Sequence, residues 1–273
     1  MSPRRPVRAW LGETLPVDPA ELVGPRGLTE SVLQESALEG APDGALEGAL
    51  DSAADEPALA GDAAFFWSLL TDQRKARIDA VIAARLESVT VVLDRLLDPH
   101  NTAAVLRTSE GLGLLRAHVV PHEEGDATAH RRVTQDADKW LDLERHQSGA
   151  AAALALTQRG FTVYAGHLDE RALLYTALPA DRPIALLFGN EHQGPSPETV
   201  AACAGTFRIP MAGFTQSFNV SVAAAIALSE RTRARRAFLG AAGDLGQDAR
   251  VLLRGRFAIL AAKLARRIKA PRR

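Results

Sequence analysis

Three segments of the sequence place polar, chemically capable side chains directly after apolar runs. The first contains Asn101 and Arg107, the second Glu191, and the third Ser217 and Asn219. Amide, carboxylate, hydroxyl and guanidinium groups can hydrogen-bond a ligand and stabilise charge that develops on it. Ligands of open α/β sheets gather at the carboxyl ends of strands, where these segments are expected to lie. The three segments are therefore candidates for one binding site.

The first segment, "LDPHNTAAVLRTSEGLG", predicts a turn and then a helix closed by glycine. Asn101 and Arg107 are six residues apart and share a helix face only if Asn101 precedes the helix. We therefore predict Asn101 as the cap, or alternatively Thr102, since asparagine is favoured there. From the cap position its amide can hydrogen-bond back toward Arg107. The alternative interpretation is an ordinary cap followed by a surface arginine.

The second segment, "ALLFGNEHQGPSPE", predicts a buried strand that ends at Gly189. Glycine at a strand end lets the backbone approach a ligand closely, and Glu191 is held in the turn beside it. The alternative is a tight turn that only leads into a helix. A phosphate-binding loop is excluded, because no GK[ST] sequence follows.

The third segment, "FRIPMAGFTQSFNVSVAAAIALSE", predicts a strand, a loop and a helix that begins near Ser217, Asn219 and Ser221. The helix has small residues where bulk is usual, which permits close approach of a ligand or of another backbone. The alternative is a tightly packed core helix.

Short apolar runs alternate with helical segments along most of the chain, which predicts an α/β fold with a mostly parallel sheet. The region from Lys139 to Gln147 is predicted to be irregular. The predicted strands are residues 89–94, 117–120, 161–167, 183–189 and 207–210.

The two ends of the chain differ from this central part. Residues 1–60 contain eleven acidic and four basic residues, a charge of −7, which leaves +6 for the remainder. Their near-repetitive Ala/Gly/Pro composition predicts a disordered acidic extension. Residues 61–88 predict a basic helical arm, 89–240 the α/β domain, and 241–273 a basic C-terminal helix. The arm is predicted to place its Arg and Lys residues opposite an apolar stripe of Leu69, Leu70, Ile78, Val81, Ile82 and Leu86.

Composition excludes several classes of protein. The chain is 47% apolar and 24% charged, as in an ordinary globular protein, and it contains no apolar run of about 20 residues. The single cysteine, Cys203, cannot form an internal disulfide, which favours the cytoplasm. No metal cluster is predicted: Pro121 separates His118 from His122, and both histidines are expected in a loop or at a strand end. Metal binding by these histidines is the less favoured alternative.

Together the three segments resemble the motifs of the SPOUT superfamily of RNA methyltransferases, and specifically its SpoU/TrmH family. The similarity lies in Asn101 followed by Arg107-Thr108, in "LLFGNEHQG", and in "IPMAGFTQSFNVSVA", which occur in the family's order. It covers residues 75–236 and is greatest to the TrmH branch, the tRNA guanosine 2′-O-methyltransferases that act on the D-loop at a site of the position-eighteen type.

The resemblance implies a SPOUT fold with a C-terminal trefoil knot, S-adenosylmethionine as cofactor, tRNA as partner and a homodimer. It implies cofactor contacts at Gly166, Gly189, Ile209 and Phe218, mostly through backbone.

The family's catalytic arginine corresponds to Arg107, and Asn101, Glu191, Ser217 and Asn219 correspond to supporting residues. We expect Arg107 to stabilise the alkoxide electrostatically, because a guanidinium is a reluctant base. Asn101 would orient it, and Glu191 is an alternative base or a contact to the guanine edge.

The expected activity is methyl transfer from S-adenosylmethionine to a guanosine ribose 2′-hydroxyl of tRNA. One alternative is a ribosomal RNA 2′-O-methyltransferase of a sister branch, although residues 1–60 lack the pattern of the separate RNA-binding domain such members often have. A second alternative is a non-catalytic RNA-binding protein on the same scaffold. A nucleotide-binding dehydrogenase is disfavoured, because no GxGxxG follows a strand.

Overall fold

The computed structural model describes residues 61–122 and 139–269, with the side chains of the last helix described as far as Ala261. The chain divides into two units, and the larger contains Ala41–Arg208 and Asn219–Arg273. Ile209–Phe218 belongs to the smaller unit and contains no helix or strand. The predicted acidic extension, 1–60, lies outside the described residues.

The centre of the larger unit is a seven-stranded sheet in which every pairing is parallel. Its order is β3-β2-β1-β6-β4-β7-β5. The strands are β1 (Val89–Asp94), β2 (Arg116–Val120), β3 (Asp142–Arg145), β4 (Thr162–Gly166), β5 (Leu173–Leu174), β6 (Ile184–Phe188) and β7 (Gly205–Arg208).

The predicted α/β class and all five predicted strands are confirmed. The prediction that residues 139–147 are irregular is wrong, because β3 lies there and pairs with β2. Strand β5 was also not predicted. The trefoil knot stays a prediction, because Ile209–Phe218 belongs to the smaller unit and is described separately from the sheet.

Five helices in the described part of the chain begin at a capping side chain. Side-chain oxygens of Thr71, Asp98, Ser148, Ser196 and Asn219 each accept a hydrogen bond from a backbone amide of the first turn. The helices are α1 (Gly61–Ser68), α2 (Asp72–Ala83), α3 (Pro99–Gly111), α4 (Gly149–Gln158), α5 (Pro197–Ala201), α6 (Val220–Leu239) and α7 (Gln247–Lys269), with a 3-10 turn at Tyr175–Ala177.

Both faces of the central strands β1 and β6 are buried. Helix α4 packs small side chains, among them Ala152 and Ala153, against one face. Helix α6 contacts β1, β6 and α3, and its Ala224 and Ala227 are fully buried. The small residues of α6 are thus explained by close packing within the chain, the alternative given above.

The two ends of the described chain pack together as a helical layer of α1, α2 and α7. Ile78, Ile82, Leu253 and Phe257 form its core. The predicted apolar stripe is confirmed for Leu70, Ile78, Val81 and Ile82, which belong to this core or pack against it. Leu69 is 57% exposed, and Leu86 is buried after the end of α2, where it bridges to Leu114. The single predicted arm is in fact two helices, because Thr71 begins a new one.

Two predictions about charged or polar residues are wrong here. Arg85 does not face solvent with the other bases of the arm: it is buried and donates to the Leu114 carbonyl at 2.7 Å and to Glu110 Oε1 at 3.0 Å. His118 is not in a loop or at a strand end, but lies buried within β2. In the part of the chain that is described, no helix combines the length and apolarity needed to cross a membrane.

Candidate active site

The first and second segments meet because β1 and β6 are neighbours in the sheet. Parallel strands end at the same edge, so the loop after β1 faces the loop after β6. Glu191, in the second loop, accepts hydrogen bonds from the backbone amides of Leu97 at 2.9 Å and Asp98 at 3.4 Å. It also accepts one from Asn101 Nδ2 at 2.8 Å. One carboxylate therefore joins the two loops.

The third segment is joined to the same network by the residue that caps its helix. Asn219 Nδ2 donates to Asn101 Oδ1 at 3.1 Å. Asn219 Oδ1 accepts from the Ser221 amide at 2.8 Å and so caps α6. The resulting chain of side chains, Glu191–Asn101–Asn219, connects segments that are far apart in sequence; we call it the strand-end network.

The electrostatics of the network favour an ionised Glu191. Partial burial disfavours the charged carboxylate, but the hydrogen bonds from Leu97, Asn101 and Asp98 outweigh this effect, so the pKa of Glu191 is lowered. A carboxylate of lowered pKa whose oxygens accept three hydrogen bonds is a poor proton acceptor at neutral pH. Its geometry suits a positioning role.

The predicted cap at Asn101 is wrong. Asp98 caps α3 by accepting from the His100 amide at 2.8 Å, with Pro99 in the first turn. Asn101 is therefore inside the helix, where it is buried. The hydrogen bonds of its amide run to Glu191 and Asn219, not along the helix to Arg107.

Arg107 lies six residues further along α3 and is exposed. Six residues correspond to about 9 Å of rise and about 240° of rotation, so the two side chains leave different faces of the helix. Asn101 and Arg107 are therefore connected through the helix that bears them both.

The residues predicted to contact a cofactor are placed only in part. Gly166 ends β4 and Gly189 follows β6, and these two strands are adjacent in the sheet. A Cβ atom at Gly189 would lie 2.1 Å from the Pro195 nitrogen, so no side chain fits there. Ile209, Ser217 and Phe218 lie in the separately described unit, and their roles stay predictions.

Sequence inspection missed one residue that shapes this site. Asn190 Oδ1 accepts from the His192 amide at 2.9 Å, and its Nδ2 donates to the Arg95 carbonyl at 3.2 Å. It thereby folds the Glu191 turn and ties it to the end of β1. The signal was present in the sequence, since Asn favours turns by hydrogen-bonding the backbone two residues further on, as Asn190 does here.

The parallel sheet with its strand-end network defines an α/β protein whose candidate site lies at the carboxyl ends of the strands, and comparison with known proteins gives the family. Residues 88–229 match the SpoU rRNA Methylase family. The chain belongs to this family.

Among relatives, a tRNA (guanosine(18)-2′-O)-methyltransferase of Thermus thermophilus is 40% identical over 165 residues, which cover 60% of this chain and 84% of the relative. The Escherichia coli K12 protein of the same name is 32% identical over 163 residues, covering 59% and 70%. The crystal structure of an Aquifex aeolicus TrmH/SpoU tRNA modifying enzyme has a TM-score of 0.63 at 29% identity, covering 70% of this chain and 97% of that one.

Proposed function

We propose that this protein transfers a methyl group from S-adenosylmethionine to the ribose 2′-hydroxyl of a guanosine in the D-loop of tRNA. The observation that carries the proposal is the strand-end network: it joins the three motif segments in a chain 40% identical to a tRNA guanosine 2′-O-methyltransferase.

The strand ends suit this cofactor. Gly166 and Gly189 lie at the ends of two adjacent strands, where glycine permits a ligand to approach the backbone closely. Ile209 and Phe218 are proposed to complete the contacts. S-adenosylmethionine supplies a methyl group already activated by its positive sulfur.

We assign the chemical role to Arg107. Its guanidinium would stabilise the alkoxide that forms as the 2′-hydroxyl loses its proton to a phosphate oxygen or water. Glu191, Asn101 and Asn219 are positioning residues that fix α3 against the neighbouring loop and α6. Ser217 is proposed to contact the substrate.

Surface charge supports RNA as the partner. Arg74 and Arg77 are exposed on α2, where they can contact phosphates. By contrast, Arg254 of α7 binds Asp79 at 2.7 Å, and Arg256 pairs with Asp142. We therefore propose α2, rather than the described part of α7, as the RNA contact of the helical layer. We also propose a cytoplasmic homodimer, which light scattering can test.

The deciding experiment incubates the protein with labelled S-adenosylmethionine and either unmodified tRNA or ribosomal RNA, followed by mass spectrometry of the nucleosides. We expect 2′-O-methylguanosine from tRNA. The family name favours ribosomal RNA as a second candidate substrate, and label in that RNA alone would replace the tRNA proposal. Binding of tRNA without any methyl transfer would instead indicate a non-catalytic RNA-binding protein.

A further inference from the structure

Two histidines and a glutamate form a cluster on β2 and β3, the strands at one edge of the sheet. His118 lies in β2 opposite Glu144 of β3, and His146 follows β3 directly. The side chain of His118 is 1% exposed and that of His146 is 8% exposed. None of the three belongs to the strand-end network or to the proposed methyl transfer.

The spacing of their ligand atoms is close to that of a metal site. His118 Nδ1 and His146 Nε2 are 2.9 Å apart, and Glu144 oxygens lie 3.8 Å and 3.6 Å from them. Zinc binds nitrogen and oxygen at about 2.0–2.1 Å, so tetrahedral ligands are separated by about 3.3–3.4 Å. The two nitrogens would move apart by about 0.4 Å, and the carboxylate would move closer by a similar distance.

The two imidazoles already face each other through their ligand atoms. His118 Nδ1 and His146 Nε2 share one hydrogen bond, and the tautomer decides which ring donates. A tautomer change that moves this proton to the far nitrogen of its ring frees both lone pairs, and a neutral imidazole nitrogen is the form that binds metal.

Arg159 is the present partner of Glu144, which it binds through both guanidinium nitrogens at 2.6 Å and 2.7 Å. Its side chain is 44% exposed, so it can turn toward solvent at little cost. Arg159 would therefore compete with a cation for the carboxylate.

We propose that His118, His146 and Glu144 bind a divalent transition metal of the zinc class, with the fourth position open to water. The ion would link the edge strand β3 to β2. This role is structural and separate from methyl transfer.

Titration of the chelator-treated full-length protein with Zn²⁺, followed by calorimetry, tests the proposal, and Co²⁺ provides a visible absorption signal of tetrahedral ligation. We expect about one ion per chain and a higher melting temperature with Zn²⁺. His146→Gln and Glu144→Gln should each weaken binding at least about tenfold, since even outer partners of a metal ligand contribute that much.

Two further variants sharpen the result. Arg159→Met should tighten Zn²⁺ binding, because it removes the competitor for Glu144. His122→Gln, which changes an exposed histidine just after β2, should bind as the wild type does. Absence of stoichiometric binding by the wild type, or equal affinity in the wild type, His146→Gln and Arg159→Met, would overturn the proposal. Methyl transfer is expected to be unchanged in His146→Gln, so the two proposals fail separately.

Discussion

The strand-end network and the helical layer are held together by different forces. In the network, Glu191, Asn101 and Asn219 join three segments by directed hydrogen bonds between polar side chains. In the helical layer, apolar side chains such as Phe257 are buried between α1, α2 and α7. Hydrogen bonds contribute modestly to stability but fix geometry, whereas apolar burial contributes much of the folding free energy.

The two regions should therefore respond differently to substitution. Changes in the helical layer should lower the free energy of unfolding and leave the turnover of the folded protein nearly constant. Changes at the strand ends should lower turnover and leave the fold nearly intact.

The largest effect on stability is expected for Phe257→Ala. Phe257 is 1% exposed and packs edge-on against Trp140 and beneath the Arg85 guanidinium. Truncation should cost about 3–5 kcal/mol of unfolding free energy, measured by urea denaturation. Leu252→Ala, at a residue of the same helix that is 75% exposed, is the matched control. Equal decreases in unfolding free energy for Phe257→Ala and Leu252→Ala would show that α7 does not pack through its Phe257 face.

The largest effect on turnover is expected for Arg107→Ala. Loss of one preorganised electrostatic group typically costs about 100- to 1,000-fold in rate. Single-turnover methylation measures this, with the melting temperature as the check on folding. Arg182→Ala is the control. It changes an exposed arginine just before β6, at the amino ends of the strands and away from the strand-end network, and should keep full activity. An Arg107→Ala enzyme with more than about a tenth of wild-type activity would exclude the role.

A smaller, pH-dependent effect is expected for Glu191→Gln. The folded pKa of Glu191 lies below its ordinary value of 4.5, so ionised Glu191 contributes stability above that pH, and the contribution is lost as the pH falls through the folded pKa. The unfolding free energy of the wild type should exceed that of the variant by about 1 kcal/mol at neutral pH. Urea denaturation of the wild type and the variant, at neutral pH and again below pH 4.5, measures the difference in unfolding free energy at each pH. A gap that stays constant on acidification would contradict an ionised, hydrogen-bonded Glu191.

The smallest effect is expected for the double variant Arg74→Gln with Arg77→Gln. It should raise the apparent KM for tRNA and reduce the slope of log affinity against log salt by about 0.7–0.9 for each phosphate that the variant no longer neutralises. Arg254→Gln removes a positive charge from an arginine already bound to Asp79, and should leave the slope unchanged. If Arg254→Gln changes the slope more than the double variant does, α7 is the RNA contact after all.

The sequence predicted the central sheet well because β6 is an uninterrupted apolar run and β1 is rich in β-branched residues, as is typical of buried parallel strands. Strand β3, "DLER", gives no such signal: it lies at the sheet edge with alternate residues exposed. The cap of α3 was misplaced because Asp98 before Pro99 is a stronger signature than Asn101.

The site was predicted by residue type but not by geometry. Asn101 binds partners 90 and 118 residues away along the chain, so no local pattern indicates its hydrogen bonds. The same reason hid the cluster at His118, whose partner His146 is 28 residues away.

The most direct test of the account is methyl transfer to a tRNA transcript in which the D-loop guanosine carries a 2′-deoxyribose. The proposal makes the ribose 2′-oxygen the acceptor, so this RNA should bind as the matched all-ribose transcript does and accept no methyl group, while the all-ribose transcript yields 2′-O-methylguanosine. Equal methylation of the two transcripts would contradict ribose 2′-O-methylation at that guanosine.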